Sequence, residues 1–77
     1  MNLIILSPEK EMFNGEATSV KVPGLAGQFE VLNNHAPIIS ALSAGEIRVL
    51  NGSERTTYPV NGGFIEVLHN RVSITCN

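Results

Sequence analysis

Histidine, cysteine and carboxylate are the side chains best suited to chemistry near neutral pH. This chain of 77 residues holds two histidines, one cysteine and seven acidic residues, all of them glutamate. His35 stands in "NNHAPII", between a turn-like Asn33-Asn34 and an apolar run, where a ligand, a base or a docking residue would each be plausible by type. A Ser/His/acid triad needs a histidine held by a carboxylate and an exposed nucleophile. Neither His35 nor His69 has an acidic sequence neighbour, and no G-x-S-x-G turn is present. A working carboxylate pair needs surroundings that push its two pKa values apart. Glu9, Glu11, Glu16, Glu30, Glu46, Glu54 and Glu66 all fall at turns or on the polar phase of strand patterns, as solubilising charges do. The spacing of His35, His69 and Cys76 suggests no shared metal, and a single cysteine excludes both an internal disulfide and a cysteine-based zinc cage. The glycines of "GLAGQFE" lead into a strand pattern rather than the helix N-terminus that holds a phosphate. No catalytic site, metal or cofactor emerges.

The elements that must carry these residues are strands. "LIIL" is a short apolar run stopped by Ser7-Pro8. "EMFNGE" carries Met12 and Phe13 before an Asn14-Gly15 turn signal. Val20 and Val22 alternate with Ser19 and Lys21, Phe29 and Val31 with Gln28 and Glu30, and Ile47 and Val49 with Glu46 and Arg48. Asn51-Gly52 reads as a hairpin with both residues at the central positions of a type I′ turn. Ile65 and Val67 oppose Glu66 and Leu68, His69-Asn70 makes the next turn, and Val72, Ile74 and Cys76 share one face of the final pattern. Gly62-Gly63 reads as a corner. In "APIISALSAG", Pro37 and the β-branched Ile38 and Ile39 favour extended structure over a helical turn. Short, regularly spaced, period-two segments predict one all-β domain over 1–77, a flattened β-sandwich or barrel of about eight to ten strands without helix.

Composition narrows the partners. The net charge is −2, and five Lys and Arg are scattered singly, so no basic stripe exists to follow phosphates and nucleic acid is not expected. The start lacks the basic and long apolar regions of a signal peptide. No apolar run approaches the roughly 20 residues of a membrane helix, so direct membrane insertion is not expected. Charged residues are 16% of the chain, against roughly 25% in typical domains. The neutral remainder reads either as an Asn/Ser/Thr-rich exterior or as surface that a partner covers.

The ordered set of motifs is more telling than any one of them. "LSPEKEMFNGEATSVKVPGLAGQFEVLNNHAPIISALSAGEIRV" and "VNGGFIEVLHNRVSI" together resemble the N-terminal β-sandwich domain of the ε subunit of rotary, F-type ATP synthases. The resemblance spans nearly the whole chain in the family's order. Asn33-Asn34 stand where the family has Pro-Gly before the histidine; asparagine tolerates left-handed conformations, so the turn can survive. Glu30 stands where a glycine is common.

The resemblance implies a non-catalytic central-stalk subunit that couples the γ shaft to the membrane rotor ring of a proton-translocating synthase. It implies a location on the cytoplasmic side of a bacterial-type inner membrane, peripheral through the complex, with neither cofactor nor small-molecule substrate. It places Gln28, Phe29, Asn33, Asn34, His35, Ala36 and Pro37 at a tip that meets γ and the ring, with His35 either touching a partner or shaping the loop. Relatives commonly continue into a C-terminal pair of helices that can inhibit hydrolysis. The last strand pattern here leaves only Asn77 beyond it, so this chain, if it is a short natural form rather than part of a longer product, is expected to lack that helical hairpin and the brake it provides. Two rival readings are a stand-alone β adaptor or binding module and a small hydrolase. A carrier domain needs a lysine at a hairpin tip, and neither Lys10 nor Lys21 sits in such a turn. A hydrolase would need activity that dies with His35→Ala.

Overall fold

The computed structural model describes residues 1–77 as nine strands with no helix. In chain order they are β1 (Asn2–Leu6), β2 (Glu11–Glu16), β3 (Ser19–Gly24), β4 (Gly27–Leu32), β5 (Ile38–Leu42), β6 (Gly45–Asn51), β7 (Glu54–Val60), β8 (Gly63–Leu68) and β9 (Arg71–Cys76). The all-β expectation and the strand number both hold.

The strands form two layers. One has the order β2-β1-β9-β8-β5; the other has the order β4-β3-β6-β7. Every pairing is antiparallel except β1 with β9, which run parallel from Asn2 opposite Arg71 to Leu6 opposite Thr75. The layers join where Gly24 of β3 meets Leu42 of β5. Their far edges meet as well: Phe13 of β2 and Tyr58 of β7 pack edge to face, with ring centres 6.4 Å apart at 67°. The body measures 25 × 22 × 18 Å.

Period-two alternation explains the layering, because successive side chains of a strand point to opposite faces. Leu3, Ile5, Ile65, Val67, Val72 and Ile74 face inward from the first layer, and Val20, Val22, Val31, Ile47 and Val49 from the second. Each such side chain contributes about 1.5–3 kcal/mol on full burial. Only 19 residues are buried, so few of these contacts are dispensable.

The turns divide into those the sequence marks correctly and those it does not. His69 and Asn70 both have positive φ, 51° and 60°, between Leu68 and Arg71, which is the type I′ geometry. Gly62-Gly63 is the expected corner at the start of β8. Asn14-Gly15 is not a turn. Both residues lie inside β2, opposite Ile4 and Leu3, because pairing with β1 overrides their local preference. The turn falls earlier, where the Ser7 N–H donates to the Lys10 carbonyl (2.9 Å). The β6–β7 hairpin is shifted by one residue: Asn51 pairs with Glu54, and Gly52 alone has positive φ (63°) with Ser53 beside it. Left-handed backbone is therefore needed at the first central position only, as in a type II′ turn.

Candidate partner-binding site

The seven predicted site residues lie along β4 and the loop that follows it. The β3–β4 hairpin closes with Gly24 opposite Gly27, so β4 starts at the Leu25-Ala26 turn and runs the length of its layer. Gln28 and Phe29 are near that start, and Asn33 to Pro37 follow the end. Four residues of strand separate Gln28 from Leu32, about 13 Å at 3.3 Å per residue. The seven residues therefore form an edge and a loop rather than one tip. Phe29 is not freely exposed. It is half-buried against the core, and its ring lies so close over Gly24 that a β-carbon there would come within 2.8 Å.

The loop itself is held at each of its first three residues. Asn33 Oδ1 accepts a hydrogen bond from the Met1 amino group, which also donates to the Ala17 carbonyl (3.0 Å) and lies 3.5 Å from Glu16 Oε2. Asn34 has φ 63°, the left-handed backbone that asparagine tolerates, and its N–H donates to Asn70 Oδ1 at 2.8 Å. The β8–β9 turn thus supports the Asn33–Pro37 loop. The His35 N–H donates to the Leu32 carbonyl (3.2 Å), and its Nδ1 lies 2.7 Å from the Ala36 carbonyl. A carbonyl only accepts, so Nδ1 carries the proton in that bond and Nε2 is left for an outside partner. His35 accordingly shapes its own loop and retains one free ring nitrogen. Ala36 and Pro37 are exposed and lead into β5.

His35, His69 and Cys76 do not converge. His69 is in the turn before β9, whereas Cys76 ends that strand, buried, with Sγ 3.4 Å from the Leu6 carbonyl and 3.5 Å from Met12 Sδ. Burial pushes the thiol pKa up from its ordinary 9.0, against a smaller opposing backbone hydrogen bond. A protonated, enclosed thiol suits packing rather than nucleophilic attack. All seven glutamates are exposed.

A second surface is absent from the predicted site residues. On the outer face of the β1–β9–β8–β5 layer, Leu6 lies opposite Thr75, Thr75 opposite Phe64, and Phe64 opposite Ala41. Ile39 sits one row away, opposite Glu66, and the Leu25 N–H donates to the Ala41 carbonyl (3.0 Å), bringing the β3–β4 turn to the same face. Phe64 is 64% exposed, Leu25 70% and Ile39 75%. The sequence holds a trace of this: Phe64 and Leu68 share the phase of Glu66, and Ile38-Ile39 makes both phases apolar. The opposite outer face is polar. There a shallow groove of about 530 Å³ mixes Lys21, Arg48 and Arg55 with Glu30 and Glu46.

Comparison with known proteins identifies the family of this sandwich. All 77 residues match the family described as the ATP synthase delta/epsilon chain β-sandwich domain. An ATP synthase epsilon chain of Leptospira borgpetersenii is 43% identical over 74 residues, covering 96% of this chain and 58% of that protein. One from Chlorobium limicola is 41% identical over 70 residues, covering 90% and 80%. The chain thus spans about three-fifths of the Leptospira protein. Among solved structures, a chain of the Euglena gracilis mitochondrial ATP synthase OSCP/F1/c-ring assembly superposes with TM-score 0.89 at 22% identity, covering 96% of this chain and 48% of that one. A chain of the Tetrahymena thermophila mitochondrial ATP synthase central stalk/c-ring gives 0.85 at 17%, covering 97% and 61%. At those identities the structures attest the fold, while the match to the family model and the sequence relatives attest descent. The chain belongs to the family of ATP synthase delta/epsilon-chain β-sandwich domains.

Proposed function

We propose that this chain is a non-catalytic rotor component of an ATP synthase, seated between the γ shaft and the membrane rotor ring so that the two turn together. One observation carries the reading: a close-packed sandwich exposes two separate surfaces of different chemistry, and a coupling needs two. The first is the apolar outer face of Leu6, Leu25, Ile39 and Phe64, suited to permanent contact with the shaft, because an apolar patch gains most from lasting burial. The second is the β4 edge with the Asn33–Pro37 loop, whose amides and free imidazole nitrogen suit the polar loops of a ring. Close packing between them transmits strain instead of absorbing it. No helix is long and apolar enough to cross a membrane, and the reading places the chain at the surface of an energy-transducing membrane, held through its partners. Nucleotide and proton chemistry reside on other subunits.

The test is reconstitution of ε-depleted ATP synthase with this chain, reading both binding and the coupling of hydrolysis to proton pumping. Ile39→Ser with Phe64→Ser should weaken association, and so should Asn34→Ala with His35→Ala, each pair by tenfold or more if it removes about 1.4 kcal/mol. Unchanged binding by both pairs would overturn the proposal. Calorimetry on the isolated chain should give no ATP binding.

A further inference from the structure

Three strands have an open edge: β2, β4 and β7. An open edge presents unpaired N–H and C=O groups and invites another strand, so proteins normally disable it with proline, charge or a bulge. In β2 the pairing register breaks opposite Ile5 and Leu6, a bulge that disrupts the edge. In β7 the hairpin register settles which groups point outward. Asn51–Glu54 is the bonded closing pair of a two-residue turn, so Thr56 and Tyr58 bond back to β6, whereas Arg55, Thr57 and Pro59 face out. One of those three positions is therefore a proline with no N–H to offer.

The edge of β4 differs from both. Gly24–Gly27 closes its hairpin, so Gly27, Phe29 and Val31 bond to β3, while Gln28 and Glu30 direct both backbone groups outward and Leu32 its N–H, the Leu32 carbonyl being taken by the His35 N–H. Pro23 of β3, opposite Gln28, occupies a position that needs no N–H toward β4, in agreement with this register. None of the three outward residues is proline, and the pairing from Ser19–Leu32 to Gly24–Gly27 is unbroken. The second side of β5 is already engaged near its end by Gly24 and Leu25. β4 is thus an edge free of proline and bulge along its whole length. Its single charge, Glu30, sits in the middle. In the fullest antiparallel pairing of two copies, Glu30 would face Glu30, and like charges directly opposite are unfavourable. A partner strand with a basic residue at that point meets no such penalty.

We infer that the free edge of β4 receives an extended segment of a ring chain's polar loop, which adds an outer strand to the β4-β3-β6-β7 layer and places a Lys or Arg opposite Glu30. This deepens the rotor reading and rests on it. Backbone pairing supplies affinity and Glu30 supplies register and choice of partner.

Amide hydrogen exchange in reconstituted ATP synthase, quenched and resolved to single residues, reads the added strand. The Gln28, Glu30 and Leu32 amides should exchange freely in the isolated chain and become protected on assembly, while Phe29 and Val31 are protected in both. Glu30→Pro removes one outward N–H without touching the β3 ladder and should weaken assembly about tenfold, with Glu30→Lys weakening it further. Melting of the isolated Glu30→Pro chain checks that it still folds; should it not, the exchange pattern of the native chain decides. If the chain binds and restores coupling while these three amides stay unprotected, the added strand is wrong and the rotor reading stands. If the chain does not bind at all, both fall. Dimerisation of the isolated chain with protection at the same amides would overturn the choice of a foreign strand.

Discussion

At Gly63 the backbone of β8 approaches β9 so closely that a β-carbon would lie 2.1 Å from the Thr75 carbonyl oxygen and 2.8 Å from Cys76 Cα, and φ is 148°. Gly63→Ala therefore combines a left-handed strain with a clash against backbone that cannot move aside, and should cost about 3 kcal/mol or more in urea unfolding. Gly62→Ala, whose nearest neighbour is the Leu42 carbonyl oxygen at 3.4 Å, should cost clearly less. Cys76 permits a prediction about pH. Burial raises the pKa of its thiol above the ordinary 9.0, so the native state holds its proton more tightly than the unfolded chain. That contribution to stability is complete below pH 9 and is lost as pH rises through the raised native value. Titration of stability from neutral into alkaline conditions should show a steeper fall for the native chain than for Cys76→Ala. Alkylation of the thiol should track unfolding.

Among the elements, the β8–β9 turn serves two ends of the fold at once. Asn70 takes the left-handed conformation that the turn demands, and its Oδ1 accepts the Asn34 N–H. Asn70→Gly keeps the first role and removes the second. Stability should change by no more than about 1 kcal/mol, because glycine offsets the lost hydrogen bond with relief of strain. The Asn34 amide should nevertheless lose exchange protection, and, on the proposed rotor role, assembly should weaken as the Asn33–Pro37 loop loosens. How far such elements can be read in advance depends on which force sets them. Ile47 and Val49, or Val72, Ile74 and Cys76, announce their strands because burial on one face enforces period two. Asn14-Gly15 misleads because a turn signal is local, whereas the pairing of Asn14 with Ile4 is decided by a strand eight residues or more away. Asn51-Gly52 marks the right hairpin and the wrong register by one residue. The candidate site shows the same unevenness. Asn34 and His35 stood out by type, but only the β4 register separates them from Gln28. The apolar face of Leu25, Ile39 and Phe64 is assembled across strands that no single window of sequence contains.

For the molecule as a whole, the pairing of β1 with β9 sets the terms of folding. β9 lies between β1 and β8 and contributes Val72, Ile74 and Cys76 to the core. Deleting residues 71–77 should abolish the fold rather than trim it, giving a disordered circular dichroism spectrum in place of a β-type one. The intact chain should refold in milliseconds to seconds, as sheets dominated by long-range pairing do. On the ribosome the same geometry becomes a matter of timing. Asn2 cannot meet Arg71 until the chain between them has been made, which at 5–20 residues per second takes roughly 4–14 seconds. Through that interval Leu3 and Ile5 have no partner on β9. Nascent chains halted before Arg71 should be protease-sensitive and bound by chaperones, and chains released past Cys76 should be neither.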